Sequence, residues 1–196
     1  MRMQMDTDFF PVELGDMKAK ISVHEIRDAM KFGPVKVEPF YLNHPAMTFA
    51  YRLSDGQNTV VYATDNEPYE YSLHRLRGSE KKTTDYPQYL DQKFVEFIAD
   101  ADLCIGEAQY TMNEYRDKKG WGHSPIESTV EFAWRARVKQ LVLFHHDPLH
   151  NDTMVDKMVQ QAQRISRLRG GGLKCLGARE GMEIKVGRSS TAKSRR

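Results

Sequence analysis

Three short apolar runs in this chain each end in a cluster of polar residues that can ligate a metal or move a proton. Residues 39–42 run into Asn43-His44-Pro45. Residues 60–63 run into Thr64-Asp65-Asn66-Glu67-Pro68, and residues 141–144 into His145-His146-Asp147-Pro148. Runs of this length read as buried strands. Strand ends in an α/β sheet are where loops converge on a rigid frame and where ligands gather.

The segments between these runs predict a mixed sheet covered by helices. Residues 18–26 alternate Ala19, Ile21 and Val23 with polar neighbours, as a half-buried strand does. Residues 35–42 form a second strand. Residues 47–53 and 59–63 flank Ser54-Asp55-Gly56-Gln57-Asn58, a hairpin signal. Residues 69–86 are polar and charged and read as a loop, residues 89–99 as a helix, and residues 102–106 as a buried strand. Ser124-Pro125-Ile126-Glu127 has the form of a capping box with proline at the first helical position and opens a helix to about residue 137. A second helix spans 152–169, with Met154, Val155, Met158, Val159, Ala162, Ile165 and Leu168 on one face and Gly170 to Gly172 behind it. Residues 173–178 and 182–186 read as a closing hairpin. The class this defines is α/β, with helices over a mixed sheet.

Composition narrows the function classes. The 196 residues carry a formal net charge of +2 and suffice for one ordinary core. That balance is too small to argue for a nucleic-acid or membrane partner, so no membrane is expected and nucleic acid is the less expected substrate. The positive excess sits mostly in residues 187–196, which read as a basic, disordered tail behind a domain of residues 1–186. No apolar run is long enough for a signal peptide or a membrane helix, so a cytoplasmic protein is expected. Cys104 and Cys175 lie in apolar runs without a Cys-x-x-Cys pair, which suits buried reduced thiols rather than a zinc ribbon.

Imidazoles and carboxylates are the usual ligands of zinc, manganese or iron, and a carboxylate can bridge two ions. Taken singly, each cluster has a plainer reading. A histidine after a strand is most often a surface or satisfied residue, and Asp-Asn-Glu-Pro is most often a turn. His145 and His146 are adjacent, so in a strand they point to opposite faces and do not serve one ion. His123, in Gly120-Trp121-Gly122-His123-Ser124, precedes the capped helix, whose N-terminus disfavours imidazolium. It could exchange a proton near neutral pH, or simply belong to the turn.

The order of five motifs resembles a known family. His44-Pro45 precedes Phe49-Ala50-Tyr51-Arg52-Leu53. Then come Val61-Tyr62-Ala63-Thr64-Asp65, Asp100-Ala101-Asp102-Leu103-Cys104-Ile105-Gly106-Glu107-Ala108, Gly122-His123-Ser124 and Leu143-Phe144-His145-His146-Asp147-Pro148. Over about residues 8–186 the chain resembles the C-terminal half of metallo-β-lactamase-fold hydrolases, on the branch near tRNase Z and the class II cyclic-nucleotide phosphodiesterases. The resemblance implies half of an αββα sandwich, a divalent metal (zinc first, manganese or iron as alternatives) and a phosphodiester or nucleotide substrate. It assigns His44, Asp65 and His145 to the metals, with Asp65 bridging. It places His123 near the scissile phosphate, Glu107 as its orienting carboxylate, and His146 and Asp147 behind the ligands or facing substrate.

The family's His-x-His-x-Asp-His signature is absent from this chain. The resemblance therefore leaves two protein ligands per metal, one fewer than a catalytic zinc usually has. The expectation is a metal-dependent hydrolase with an incomplete two-metal site, completed by a missing N-terminal half; a homo-oligomer through the uncovered sheet face is the other association expected. The alternative is a non-catalytic remnant or protein-interaction module that keeps the fold.

Overall fold

The computed structural model describes residues 18–20, 22, 25, 26, 28–76 and 85–187. One seven-stranded sheet runs in chain order from β1 to β7. β1 (Met30–Phe32), β2 (Val35–Tyr41), β3 (Phe49–Ser54) and β4 (Thr59–Ala63) pair antiparallel through short hairpins. The Ser54-to-Asn58 signal works as expected: Asp55 Oδ1 accepts from the backbone N–H of Gln57 and Asn58, closing the turn. β5 (Leu103–Glu107), β6 (Gln140–Phe144) and β7 (Lys174–Gly177) continue the sheet in parallel. Parallel neighbours need crossovers. These are supplied by α1 (Tyr69–Leu76) and α2 (Tyr86–Phe97), by α3 (Met112–Tyr115) and α4 (Ile126–Arg135), and by α5 (Asp152–Leu168).

The core lies between one face of the sheet and these helices. Ala50, Val61, Ala63, Cys104, Leu141, Leu143 and Cys175 meet Phe94, Val95, Ile98, Ile126, Val130, Ala133, Met158 and Ala162. Gly106 lets α4 approach the sheet, since a Cβ there would lie 3.0 Å from Thr129 Cγ2 and 3.1 Å from Leu141 Cδ1. Arg52 reaches from β3 to cap the end of α2, donating to the carbonyls of Phe97 and Ala99. Tyr41, Phe49, Tyr51, Tyr62 and Phe144 stand on the opposite face by strand alternation, with Tyr41 and Phe49 rings 4.3 Å apart and Tyr62 and Phe144 rings 6.1 Å apart.

Three expectations are corrected. Residues 69–76 form a helix, because Asp91 on α2 accepts the backbone N–H groups of Tyr69 and Glu70 and so caps its first turn. Ser124 is not the cap of α4: Pro125 holds that position, and the Ser124 hydroxyl donates instead to the Asn66 carbonyl. Residues 182–186 are not a strand, so β7 has no hairpin partner among the described residues. The described part of 18–26 contains no strand, and the rest of that stretch lies outside the described residues. α3 was not foreseen, although Thr111 and Glu114 form a full capping box, each side chain accepting from the other's backbone N–H. The two thiols are free and buried, and burial pushes them up to about 12 for Cys104 and about 11 for Cys175. Among the described residues no helix is long and apolar enough to cross a membrane. The tail, residues 188–196, lies outside the described residues, and so does the first segment, residues 1–17.

Candidate metal centre

The parallel strands β4, β5 and β6 end side by side. Their register pairs Ala63 with Gly106 and Gly106 with Leu143. Asp65 and His145 therefore stand at the same level, each two residues beyond its registered partner. Both adopt left-handed backbone, with φ 59 at Asp65 and φ 55 at His145. That conformation is uncommon for residues other than glycine and is tolerated best by Asp, Asn and His. It ends each strand and turns the following chain away from the sheet.

These two tips meet a third element, the N-terminal approach to α4, which carries His123. His145 Nε2 lies 3.4 Å from Asp65 Oδ1, and both side chains are 34% exposed. One ligand atom from each of Asp65, His123 and His145 fits within 4.8 Å. The His123 and His145 rings stack at 5.1 Å, and the His44 ring stands edge-on to His123 at 5.4 Å. Two imidazoles and a carboxylate, partly open to solvent, are a donor set that suits zinc and its neighbours.

His44 borders this group but is not within it. Its Nδ1 lies 3.2 Å from the Ala46 carbonyl, 3.1 Å from the Ala46 nitrogen and 3.2 Å from Thr48 Oγ1. The tautomer follows from which neighbour it engages: a proton on Nδ1, given to the carbonyl, frees Nε2 as a lone-pair donor. The ring also limits which residue can occupy position 122. A Cβ on Gly122 would fall 2.2 Å from His44 Cδ2 and 2.5 Å from Pro45 Cδ, so glycine is required there.

Two buried carboxylates organise the surroundings. Glu107, at the tip of β5, bonds His123 Nδ1 through one oxygen and accepts the Asn66 backbone N–H through the other. Glu67 accepts from the Tyr115 hydroxyl and the Gly120 N–H on one oxygen and from the Gly122 N–H on the other. Asn43 completes the frame, donating to the Glu67 carbonyl and to Ser72 Oγ, while Asn66 Oδ1 accepts the Asn43 N–H.

Protonation follows from burial and charge. Burial lifts the Glu107 carboxyl to about 7, against the opposing pull of His123 and of the Asn66 N–H. Burial alone would lower His123, but its hydrogen bond to Glu107 and the charges of Glu107, Asp65 and Glu67 outweigh this and raise it. His145 is lowered by burial and by the charges of His123 and His44, with Asp65 opposing. Around neutral pH, then, His145 offers a neutral imidazole, while Glu107 and His123 hold a proton between them.

Of the residues singled out from sequence, the structure gathers Asp65, His123, His145 and Glu107, with His44 at the edge. His146 it sets apart. Its ring lines a cleft with Asp152, Val155 and Asp156 of α5 and Leu176 and Gly177 of β7, and both of its ring nitrogens are buried without a hydrogen-bond partner. Asp147 shapes its own turn, its Oδ1 accepting the Leu149 N–H. Sequence reasoning missed Glu67, hidden in a stretch that read as a turn. Pro68 immediately after it and the glycines of 120–122 were its only signals.

The seven-stranded mixed sheet with helices over one face matches one half of the metallo-β-lactamase fold. It superposes on the metallo-beta-lactamase fold protein YhfI from Bacillus subtilis with a TM-score of 0.59 at 21% identity, over 81% of this chain and 52% of that one. A diphosphatase of the PhnP family gives 0.52 at 15% identity, over 90% of this chain and 54% of that one. Within that fold the sequence is similar to ribonuclease Z: 34% identical over 71 residues to the Anoxybacillus flavithermus enzyme and 41% over 69 residues to that of Thermococcus sibiricus. These matches span 36% and 35% of this chain and only 23% and 21% of the relatives, and this chain spans about half the length of the similar structures. No family model matches the chain.

Proposed function

We propose that this chain carries the metal-binding end of a hydrolase that cleaves phosphodiesters, with RNA as the substrate class. The observation that carries the reading is the convergence of Asp65, His123 and His145 within 4.8 Å at adjoining tips of the fold. The fold of the similar structures and the partial likeness to ribonuclease Z support it. Asp65 and His145 would hold a divalent metal, zinc first and manganese or iron as alternatives, with His44 as a further nitrogen donor. Such an ion supplies a Lewis acid that neutralises phosphate charge and activates water.

The chain's own residues supply the rest. Glu107 fixes the His123 ring through Nδ1, leaving Nε2 toward the cluster. With Nδ1–H held by Glu107, a protonated His123 carries its second proton on Nε2, and that proton can pass to a leaving oxygen. Asp65, open on one side, gives substrate and water a way in.

Calorimetric titration with zinc and manganese, together with cleavage of an RNA and of a simple alkyl aryl phosphodiester, tests the reading. Stoichiometric binding lost in Asp65→Asn, and cleavage lost in His123→Ala, are expected. A chain that binds neither ion would instead support a non-catalytic module that keeps the fold.

A further inference from the structure

One buried carboxylate grips the chain on both sides of an exposed tryptophan. Glu67, 2% exposed, takes the N–H of Gly120 at 2.7 Å and that of Gly122 at 3.0 Å. Both glycines have left-handed backbone, φ 83 and φ 90, a conformation that few other residues would accept in their place. Gly122 is further seated against His44 and Pro45. The Trp121 N–H closes the turn onto the Lys118 carbonyl at 3.1 Å.

The segment held this way presents its indole outward, 52% exposed. Burial does not explain the arrangement, since a ring used for core packing would be turned in. One face of the ring carries the Lys118 ammonium, 4.0 Å from the centroid. Arg116 and Lys119, close by in sequence, are exposed. Two residues further on stands His123, and two residues before Glu67 stands Asp65. The same carboxylate thus ties the tryptophan to the tip that bears the metal-type ligands.

We infer that Trp121 is a stacking platform for an unpaired base of single-stranded RNA, with Lys118 and Arg116 meeting the phosphates on either side of that base. Every base has a π-face, and stacking on an aromatic side chain strengthens binding about tenfold without demanding a sequence. Cations interleaved with the ring suit an anionic backbone better than an apolar peptide. A platform fixed in advance avoids the ordering cost that a mobile loop would bear on binding. The inference rests on the phosphodiester reading for its substrate class, but binding tests it separately from cleavage.

The experiment titrates a uridylate decamer into the full chain and follows tryptophan emission, with inorganic polyphosphate as the charge-only probe. Quenching by the decamer is expected in the wild type and absent in Trp121→Ala. Decamer affinity falls about tenfold in Trp121→Ala, stays within about threefold in Trp121→Phe, and polyphosphate affinity is the same in all three. Equal decamer affinity in wild type and Trp121→Ala, or a parallel loss for polyphosphate, overturns the platform. If the decamer binds through Trp121 but no phosphodiester is cut, the hydrolase reading fails and the platform stands. If a simple phosphodiester is cut and Trp121→Ala processes RNA as well as the wild type, the platform fails and the hydrolase reading stands.

Discussion

Asp65 sits where a small change separates chemistry from folding. Its left-handed backbone is one that Asn also accepts, so Asp65→Asn keeps the turn while removing the charge. Zinc affinity measured by competition with a chelating dye is expected to fall about 100-fold, with the urea midpoint unchanged. Glu67 is the opposite case. Removing it leaves the buried Tyr115 hydroxyl and the buried Gly122 N–H without their acceptor, and releases the Gly120 N–H at the surface. Glu67→Ala should cost about 3 kcal/mol in urea unfolding. The contrast also explains which residues could be read in the sequence. Asp65, His123 and His145 are of types whose chemistry is recognisable anywhere, and each follows a strand or precedes a helix. Glu67 acts through backbone N–H groups more than fifty positions away, and no local pattern encodes partners at that distance. Ser124 misled for the same reason: its neighbours fit a cap, but the Asn66 carbonyl competes for its hydroxyl.

At the scale of elements, α1 depends on a residue of α2. Asp91 supplies the acceptor for the first two N–H groups of α1, and burial raises its carboxyl to about 6 despite those bonds. A carboxyl raised on folding holds its proton more tightly in the folded state. Its contribution is therefore full below its unfolded value of 3.8 and is lost as pH rises through about 6. The stability of Asp91→Asn relative to wild type should accordingly climb between pH 4 and pH 7, read from urea midpoints at each pH. No such climb would mean that Asp91 is ionised freely in the fold. This long-range cap is why residues 69–76 read as a loop, since nothing within the segment signals its start. α5 behaved differently because its signals are local. Its apolar stripe, the glycines after it and the Asn151 side chain accepting the Met154 N–H all lie within the helix or next to it. The hairpin of β3 and β4 was legible for the same reason, whereas β7 was misread because its pairing to β6 is parallel and remote.

For the whole molecule, Cys104 and Cys175 report on global opening. Both are 2% exposed and raised well above an ordinary thiol. Neither should react with an aromatic disulfide reagent in the native state, and both should react together as urea unfolds the chain. Reaction of one thiol at low urea would reveal an opening confined to one edge of the sheet. The sheet order itself was only partly legible. Mixed strand pairing and a helical cover follow from the alternation of runs, but which strands lie adjacent is settled by contacts across the whole chain. The left-handed bends at Asp65 and His145 bear on this global balance. Each holds a side chain toward its neighbours at a standing energetic cost, roughly 1 kcal/mol or more for an ordinary residue. Glycine would remove that strain at either tip, so selection for robustness alone would drift toward glycine. On the proposed function, a chain that keeps an acid and an imidazole in those two bends gives up firmness for reactivity.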